Sequence, residues 1–145
     1  MGQLTFPNGS RVYLDTAPII YSVEQSTDYW GLLRGLWNSV EARDVEVVTS
    51  ELSLLETLVH PFRKNDAELI SAYETLLTDS DVHLVPITMA ILRAAISFRA
   101  EQNLKTPDAI HAATAALSNC DYLVSNDTDF SRVTTLNVII LSDLI

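Results

Sequence analysis

The chain has 145 residues, 48% of them hydrophobic, which fits one domain with a substantial core. Its net charge of −10 argues against a basic surface for nucleic acid, and its single cysteine excludes a disulfide framework or thiolate metal cluster. No apolar run is long enough to span a membrane. We therefore expect a single domain over residues 1–145. Because residues 1–5 lack the charged and apolar parts of a signal peptide, we expect this domain to lie in the reducing cytoplasm.

The first forty residues contain one β-prone run and two helical patterns. A turn signal at residues 7–10 permits a hairpin between residues 4–6 and the apolar run at residues 12–14. If the run at 12–14 is a central strand, both its edges are taken, and residues 4–6 belong at the end of the sheet. A short helix is predicted over residues 19–23, and apolar residues at helical spacing predict a longer one over residues 29–40.

The middle of the chain repeats the strand-then-helix order. A second strand at residues 45–48 precedes a helix over residues 51–59. Pro61 fits the first position of the next helix. A third strand at residues 82–85 is followed by a helix for which Thr88 is a suitable N-cap.

The last third contains one strong helix start and two strands. Thr106, Pro107 and Asp108 provide a cap, an early proline and a first-turn acid, in that order. Strands are predicted at residues 122–124 and 138–141, with a polar turn after the first of them. Strands that alternate with helices predict a parallel sheet covered by helices on both faces.

Four acidic residues occupy comparable places in this pattern. Asp15 and Asp127 follow strands, Asp108 lies in the first turn of a helix, and Glu56 lies in the helix after the second strand. Glu56 has apolar neighbours on both sides, whereas the alternative, Glu51, is explained by its place at a helix start. Any one of these acids can be a simple helix or turn cap. Since sites in open α/β sheets lie beyond the carboxyl ends of the strands, the four together predict a shared acidic site.

The composition of this predicted site indicates its chemistry. Carboxylate oxygens without cysteine or clustered histidine suit Mg²⁺ or Mn²⁺. Such ions activate water and stabilise the charge that develops on a phosphodiester, and paired ions lie roughly 3.5–4 Å apart. Bound cations also reverse the local field of an acidic cluster, so the net negative charge does not exclude nucleic acid as a substrate.

Four segments of the chain resemble the acidic motifs of PIN domains, most closely those of VapC-type toxins. They are residues 12–16, 50–56, 106–115 and 125–130. The resemblance implies a three-layer α/β/α sandwich with a mainly parallel central sheet. It also implies a Mg²⁺- or Mn²⁺-dependent ribonuclease, a cognate antitoxin as partner and often a homodimer.

The resemblance assigns roles to individual residues. The four acidic positions are Asp15, Glu56, Asp108 and Asp127. The first, third and fourth are expected to hold the metal, with Glu56 as an additional ligand or the group that orients water. Asp129 is a further candidate ligand, and Thr16 and Ser53 match hydroxyl positions that hold carboxylates or water. Lys105, close to Asp108 in sequence, is the candidate for contact with RNA phosphate.

Three functions are compatible with these observations. The favoured one is an endoribonuclease toxin that hydrolyses an RNA phosphodiester. A phosphatase of the haloacid-dehalogenase type also begins with an acid after a strand, but it needs a second acid at position 17, which is Ala17. A PIN-like module that only binds a protein partner is the third, although retention of all four acids argues against it.

Two further features leave a structural and a functional interpretation open. His111 lies one helical turn from Asp108, yet a packing role is the simpler expectation. Trp30 and Trp37 lie two turns apart along one edge of the apolar stripe of the helix over residues 29–40. We expect Trp30 to contact a protein partner, an antitoxin or a second copy, and Trp37 to be structural.

Overall fold

In the computed structural model, which describes residues 3–145, strands and helices follow one another in the predicted order. The strands are β1 (Arg11–Leu14), β2 (Glu46–Ser50), β3 (His83–Val85), β4 (Tyr122–Ser125) and β5 (Val138–Ile140). The α-helices are α1 (Thr16–Val23), α2 (Trp30–Glu41), α3 (Glu51–Arg63), α4 (Ala67–Thr78), α5 (Met89–Ala100) and α6 (Thr106–Leu117). None of the helices in residues 3–145 is long and apolar enough to cross a membrane. Met1 and Gly2 lie outside the described residues. They belong to the segment of residues 1–5 on which the expectation about a signal peptide rests.

The sheet is parallel throughout, with the strand order β3-β2-β1-β4-β5. β1 is the central strand, and Tyr13 is paired with Val48 of β2 on one side and Leu123 of β4 on the other. The chain moves outward from β1 to β3 and then returns to the opposite side of β1. This reversal of strand order opens a crevice at the carboxyl ends of β1 and β4.

Alternate residues of β1 serve two separate cores. Val12 and Leu14 pack on one face of the sheet with apolar residues of α1, α2 and α4. Tyr13 points to the other face, which α5 and the alanine-rich α6 cover. Since small side chains let a helix approach closely, α6 lies near the sheet, and its alanines at 109, 112 and 113 are fully buried. Helices on both faces of the sheet confirm the predicted three-layer α/β/α sandwich.

The first segment is not part of the sheet, so the predicted hairpin or terminal strand at residues 4–6 is wrong. Both edges of β1 are taken by β2 and β4, and β3 and β5 occupy the two ends of the sheet. Leu4 instead donates its backbone N–H to the carbonyl of Leu32 in α2 at 3.1 Å, and its side chain is buried in the core. The turn signal at residues 7–10 reverses the chain before β1 without forming a hairpin.

The break between α3 and α4 lies later than predicted. Pro61 is buried inside α3, which continues to Arg63, and does not begin the next helix. The helix ends where Asn65 adopts a left-handed φ of 53°, a conformation that asparagine tolerates better than most residues. Asp66 then caps α4 by accepting a hydrogen bond from the N–H of Leu69 at 3.1 Å. The polar pair at the break, and not the proline, separates the two helices.

Candidate active site

The crevice beyond β1 and β4 is a cavity of about 480 Å³ that contains all four predicted acids. Its lining residues are Asp15, Thr16, Ala17, Ile20, Tyr21, Glu56, Asp108, His111, Asn126, Asp127 and Thr128. They come from four separate parts of the chain, which only the strand order brings together. The four predicted acids therefore lie together at the carboxyl ends of the strands, the edge of the sheet that was predicted.

Asp15 is buried at the end of the central strand, with 6% of its surface exposed. It precedes α1 but makes no capping hydrogen bond with its side chain, so a capping role does not explain it. Its Oδ2 accepts a hydrogen bond from the hydroxyl of Ser125 at 2.6 Å, whereas its Oδ1 is buried without a partner. Burial raises the pKa of Asp15 to about 6, although the Ser125 hydrogen bond and nearby His111 act in the opposite direction.

Asp108, Asp127 and Asp129 form a second group of carboxylates, in which one oxygen of each lies within 4.8 Å of the others. Asp127 is held by two backbone contacts: its N–H donates to Ser125 Oγ at 2.9 Å, and its Oδ1 accepts from the N–H of Asp129 at 2.9 Å. Partial burial and the negative charge of Asp127 raise the pKa of Asp108 to about 6. These carboxylates repel one another unless a proton or a cation lies among them.

Glu56 differs from the aspartates because hydrogen bonds compensate its charge. Its Oε1 accepts from the hydroxyl of Thr16 at 2.7 Å and lies 2.8 Å from Nε2 of His111. Burial alone would raise the pKa of Glu56, but the hydrogen bonds from His111 and Thr16 outweigh burial and lower it. Thr16 thus contacts a carboxylate of the site, as the hydroxyl pattern predicted.

Two residues that hydrogen-bond to the acids, His111 and Ser125, were not predicted from the sequence as parts of the site. His111 is 2% exposed and joins Glu56 to the hydroxyl of Tyr13, which lies 2.5 Å from Nδ1. Ser125 connects Asp15 and Asp127 through one hydroxyl. The available signals were the one-turn spacing of His111 from Asp108 and a small hydroxyl residue two positions before Asp127. Neither spacing indicates which way a side chain points.

One expected supporting residue, Ser53, and the candidate for RNA contact, Lys105, do not line the cavity. Ser53 is buried with its hydroxyl 2.7 Å from that of Thr49, which in turn donates to the carbonyl of Leu14 at 2.7 Å. Ser53 therefore braces the end of β1, and its hydroxyl contacts another hydroxyl, whereas the resemblance implied a carboxylate or water as its partner. Lys105 is exposed directly before α6. Glu51, the alternative to Glu56, accepts a hydrogen bond from the N–H of Ile87 at 3.1 Å.

The arrangement fits a hard divalent cation. The four acids offer carboxylate oxygens, the ligand type that Mg²⁺ and Mn²⁺ prefer. The unpartnered Oδ1 of Asp15 is costly in a buried position unless a ligand satisfies it. Asp15, Asp108 and Asp127 line the same cavity and could hold such an ion. Asp129 lies beside them, and Glu56 has one oxygen, Oε2, that is not used by the hydrogen bonds described above.

The buried carboxylate of Asp15 leads to a prediction about pH. Its pKa of about 6 in the folded protein is above the value of about 3.9 expected in the unfolded chain, so its ionisation opposes folding as the pH rises between these values. In EDTA, Asp15→Asn should therefore be more stable than the wild type by about 1–3 kcal/mol near pH 7.5, and by much less near pH 4.

Urea denaturation at both pH values measures this difference. Asp81→Asn, which removes an exposed acid outside the cavity, serves as the control and should not change with pH in this way. A stability gain for Asp15→Asn that is equal at both pH values would show that charge burial is not its cause.

Solved structures that are similar to this chain include toxins and toxin–antitoxin complexes. VapBC2 from Rickettsia felis, bound to a DNA fragment from its promoter, has a TM-score of 0.71 and 18% identity over 90% of this chain and 98% of that chain. VapC20 from Mycobacterium tuberculosis, a sarcin-ricin loop cleaving toxin, has a TM-score of 0.68 and 20% identity, covering 83% of this chain and 92% of that one. VapBC-1 from nontypeable Haemophilus influenzae has a TM-score of 0.67 and 20% identity, with coverages of 91% and 98%. At these identities the likeness establishes the fold.

Sequence comparison gives the family. None of the curated proteins matches this chain. The family model of the PIN domain matches residues 12–136, which include all four acids of the cavity. The chain therefore belongs to the PIN domain family.

Proposed function

We propose that this protein is a Mg²⁺- or Mn²⁺-dependent endoribonuclease, the toxin of a toxin–antitoxin pair that acts in the cytoplasm. The observation that carries the proposal is the buried, unpartnered Oδ1 of Asp15 in the same cavity as Asp108 and Asp127. Such an oxygen is what a cation site needs and what a purely structural carboxylate avoids. Membership of the PIN family and the fold shared with toxins support the same conclusion.

Different residues of the cavity would take different roles in hydrolysis. Asp15, Asp108 and Asp127 would hold the cation, with Asp129 adjoining them. When bound, the cation lowers the pKa of water and offsets the charge of the phosphodiester. Glu56, kept ionised by Thr16 and His111, is placed to orient the attacking water and accept its proton. Water adds across one P–O bond, and the leaving oxygen takes up a proton.

Binding of RNA to a chain with a net charge of −10 depends on the local field. A cation among the carboxylates makes the cavity attractive to a phosphate although the surface as a whole is not. Lys105, exposed before the helix that carries Asp108, is the side chain we propose to contact a neighbouring phosphate. This arrangement favours cleavage of a specific RNA over general adhesion to nucleic acid.

Cleavage assays test the proposal directly. The purified protein should cut RNA with Mg²⁺ or Mn²⁺ and stop when EDTA removes the ion. Asp15→Asn or Asp108→Asn should lower the rate by about 100-fold or more, because even the outer hydrogen-bond partners of a metal site contribute 10–100-fold. Asp81→Asn, an exposed acid away from the cavity, should retain full activity.

The results of the same assay separate the alternatives. Cleavage that persists in EDTA would contradict the metal-dependent mechanism. A protein that binds its partner but cuts no RNA with either ion would instead be a non-catalytic module. A haloacid-dehalogenase-type phosphatase requires an acid at position 17, where Ala17 lines the cavity, and the matching family model is that of the PIN domain.

Asp127 should matter more for cleavage than Asp129. Asp127 lines the cavity, whereas Asp129 Oδ1 lies 3.2 Å from Nη2 of Arg132, which already compensates its charge. We expect the rate to fall about tenfold further for Asp127→Asn than for Asp129→Asn, the scale on which groups around metal sites act. Parallel rate measurements at saturating Mn²⁺ decide the matter, and equal losses would make both residues ligands.

The protein partner is proposed to lie in an apolar groove between α1, α2 and α4, which shares no lining residue with the cavity that holds the acids. The groove has a volume of about 640 Å³. Its lining residues are Ser22, Val23, Trp30, Trp37, Glu68, Ser71, Ala72, Thr75, Leu76 and Ser80. Trp37 is fixed by a hydrogen bond from Nε1 to Ser22 Oγ at 2.7 Å, whereas Trp30 makes no such bond among the described residues. The solved relatives from Rickettsia felis and Haemophilus influenzae are toxin–antitoxin complexes, so we propose an antitoxin as the occupant.

Replacement of Trp30 tests this surface. Trp30→Ala should weaken binding of the antitoxin, expected to be encoded next to this chain, by roughly 2 kcal/mol or about 30-fold in Kd. Calorimetry measures the binding, and RNA cleavage by the free protein should persist. Phe62→Ala, which removes an exposed aromatic of α3 outside the groove, is the matched control.

Three other outcomes of this test have distinct meanings. Loss of self-association in sedimentation, with antitoxin binding unchanged, would assign the groove to a homodimer. A sharp fall in the thermal midpoint would assign Trp30 to the core. Equal weakening by Phe62→Ala would show that the groove is not specific. Each of these results contradicts the proposed occupant.

A further inference from the structure

Three buried or half-buried side chains form a chain of hydrogen bonds that runs from the sheet into the cavity. Tyr13 of β1 is fully buried, and its hydroxyl lies 2.5 Å from Nδ1 of His111. His111 of α6 is 2% exposed, and its Nε2 lies 2.8 Å from Oε1 of Glu56 in α3. The imidazole thus joins one element of each helical layer to the central strand.

The partners of the ring determine where its hydrogen lies. A carboxylate oxygen only accepts hydrogen bonds, so Nε2 must carry a hydrogen to make a favourable contact with Glu56. In the neutral ring Nδ1 is then the acceptor, and the hydroxyl of Tyr13 is its donor. Tyr13 is the more distant member of the chain, but it selects the tautomer that Glu56 needs.

A packing role does not account for this arrangement. Both ring nitrogens of His111 have a side-chain partner, and one of these partners is an acid of the cavity and not a residue of the core. The second partner lies in the cavity and also accepts from Thr16 at 2.7 Å. Two donors therefore converge on one oxygen of Glu56, which limits the rotation of its carboxylate.

We propose that His111 is a positioning residue that holds Glu56 in place through Nε2–H, with Tyr13 fixing its tautomer. The proposal rests on the nuclease function above and assigns His111 no contact with RNA. Such outer partners of acidic sites typically contribute 10–100-fold to activity. His111 and Tyr13 should consequently affect the rate only while Glu56 is present.

A pair of isosteric variants tests the role of Nε2. The amide nitrogen of glutamine reaches the position of Nε2, and that of asparagine reaches the position of Nδ1. His111→Gln should therefore retain a rate within about tenfold of the wild type, whereas His111→Asn should lose about 10–100-fold. Thr114→Ala, one turn along the same helix and bonded to the carbonyl of Ile110, is the control for disturbance of α6 and should cut RNA normally. Equal rates for the glutamine and asparagine variants would overturn the proposal.

A double-mutant cycle tests whether His111 acts through Glu56. In a Glu56→Ala background, His111→Asn and Tyr13→Phe should change the rate by less than about threefold, because the group that they position is gone. The same loss with and without Glu56 would show a merely structural role and contradict the proposal. Thermal unfolding of each variant confirms that the folded protein is being compared.

A spectroscopic readout keeps the test independent of activity. In nitrogen-15 NMR of the cation-free wild type, Nε2 of His111 should carry a hydrogen, and Tyr13→Phe should increase the share of the Nδ1–H tautomer, because Nδ1 then has no donor from which to accept. A ring protonated on Nδ1 alone would overturn the proposal even in an active enzyme. If the wild type cuts no RNA with any divalent ion, the proposed function fails, and the tautomer of His111 still decides the positioning role.

Discussion

Burial of one carboxylate at the end of the central strand is the constraint on which the site depends. β1 is flanked by β2 and β4, so Asp15, which follows it, cannot turn outward to water along either edge. Ser125 satisfies one of its oxygens and leaves the other without a partner. An unpaired buried charge is among the most unfavourable groups in a protein. The fold therefore holds an ionisable group in a place where only a proton or a cation can compensate its charge.

The strands and helices around Asp15 contribute different side chains to the cavity. β4 delivers Ser125 and Asp127 from the neighbouring strand, and the alanine-rich α6 lies close enough to the sheet for Asp108 and His111 to reach the crevice. α3 supplies Glu56, whose charge is compensated by hydrogen bonds from Thr16 and His111. Aspartates whose negative charge is not compensated and a glutamate whose charge is compensated can take different parts in one reaction.

The fold and the acids could be predicted because hydrophobic periodicity and the order of strands and helices along the chain can be read from the sequence. Alternating strands and helices were sufficient for the parallel sheet, and four acids at comparable places were sufficient for the cavity. The network around the acids was not predictable in the same way. His111 has helical spacing that suits packing, and Ser53 matches a hydroxyl pattern yet points to Thr49. Whether residues 4–6 could join the sheet depended on which edges of β1 were free. That is a tertiary property, which local turn chemistry does not specify.

The central claim is that the carboxylates around Asp15 form a divalent-cation site. A crystal of the protein grown with Mn²⁺ tests it most directly, because anomalous scattering locates the ion without reference to activity or to a particular RNA. The account predicts an anomalous peak in the cavity, in contact with carboxylate oxygens of Asp15, Asp108 and Asp127, and its loss in Asp15→Asn. A cavity without Mn²⁺ at saturating concentration, or a peak held only by exposed acids elsewhere, would contradict it.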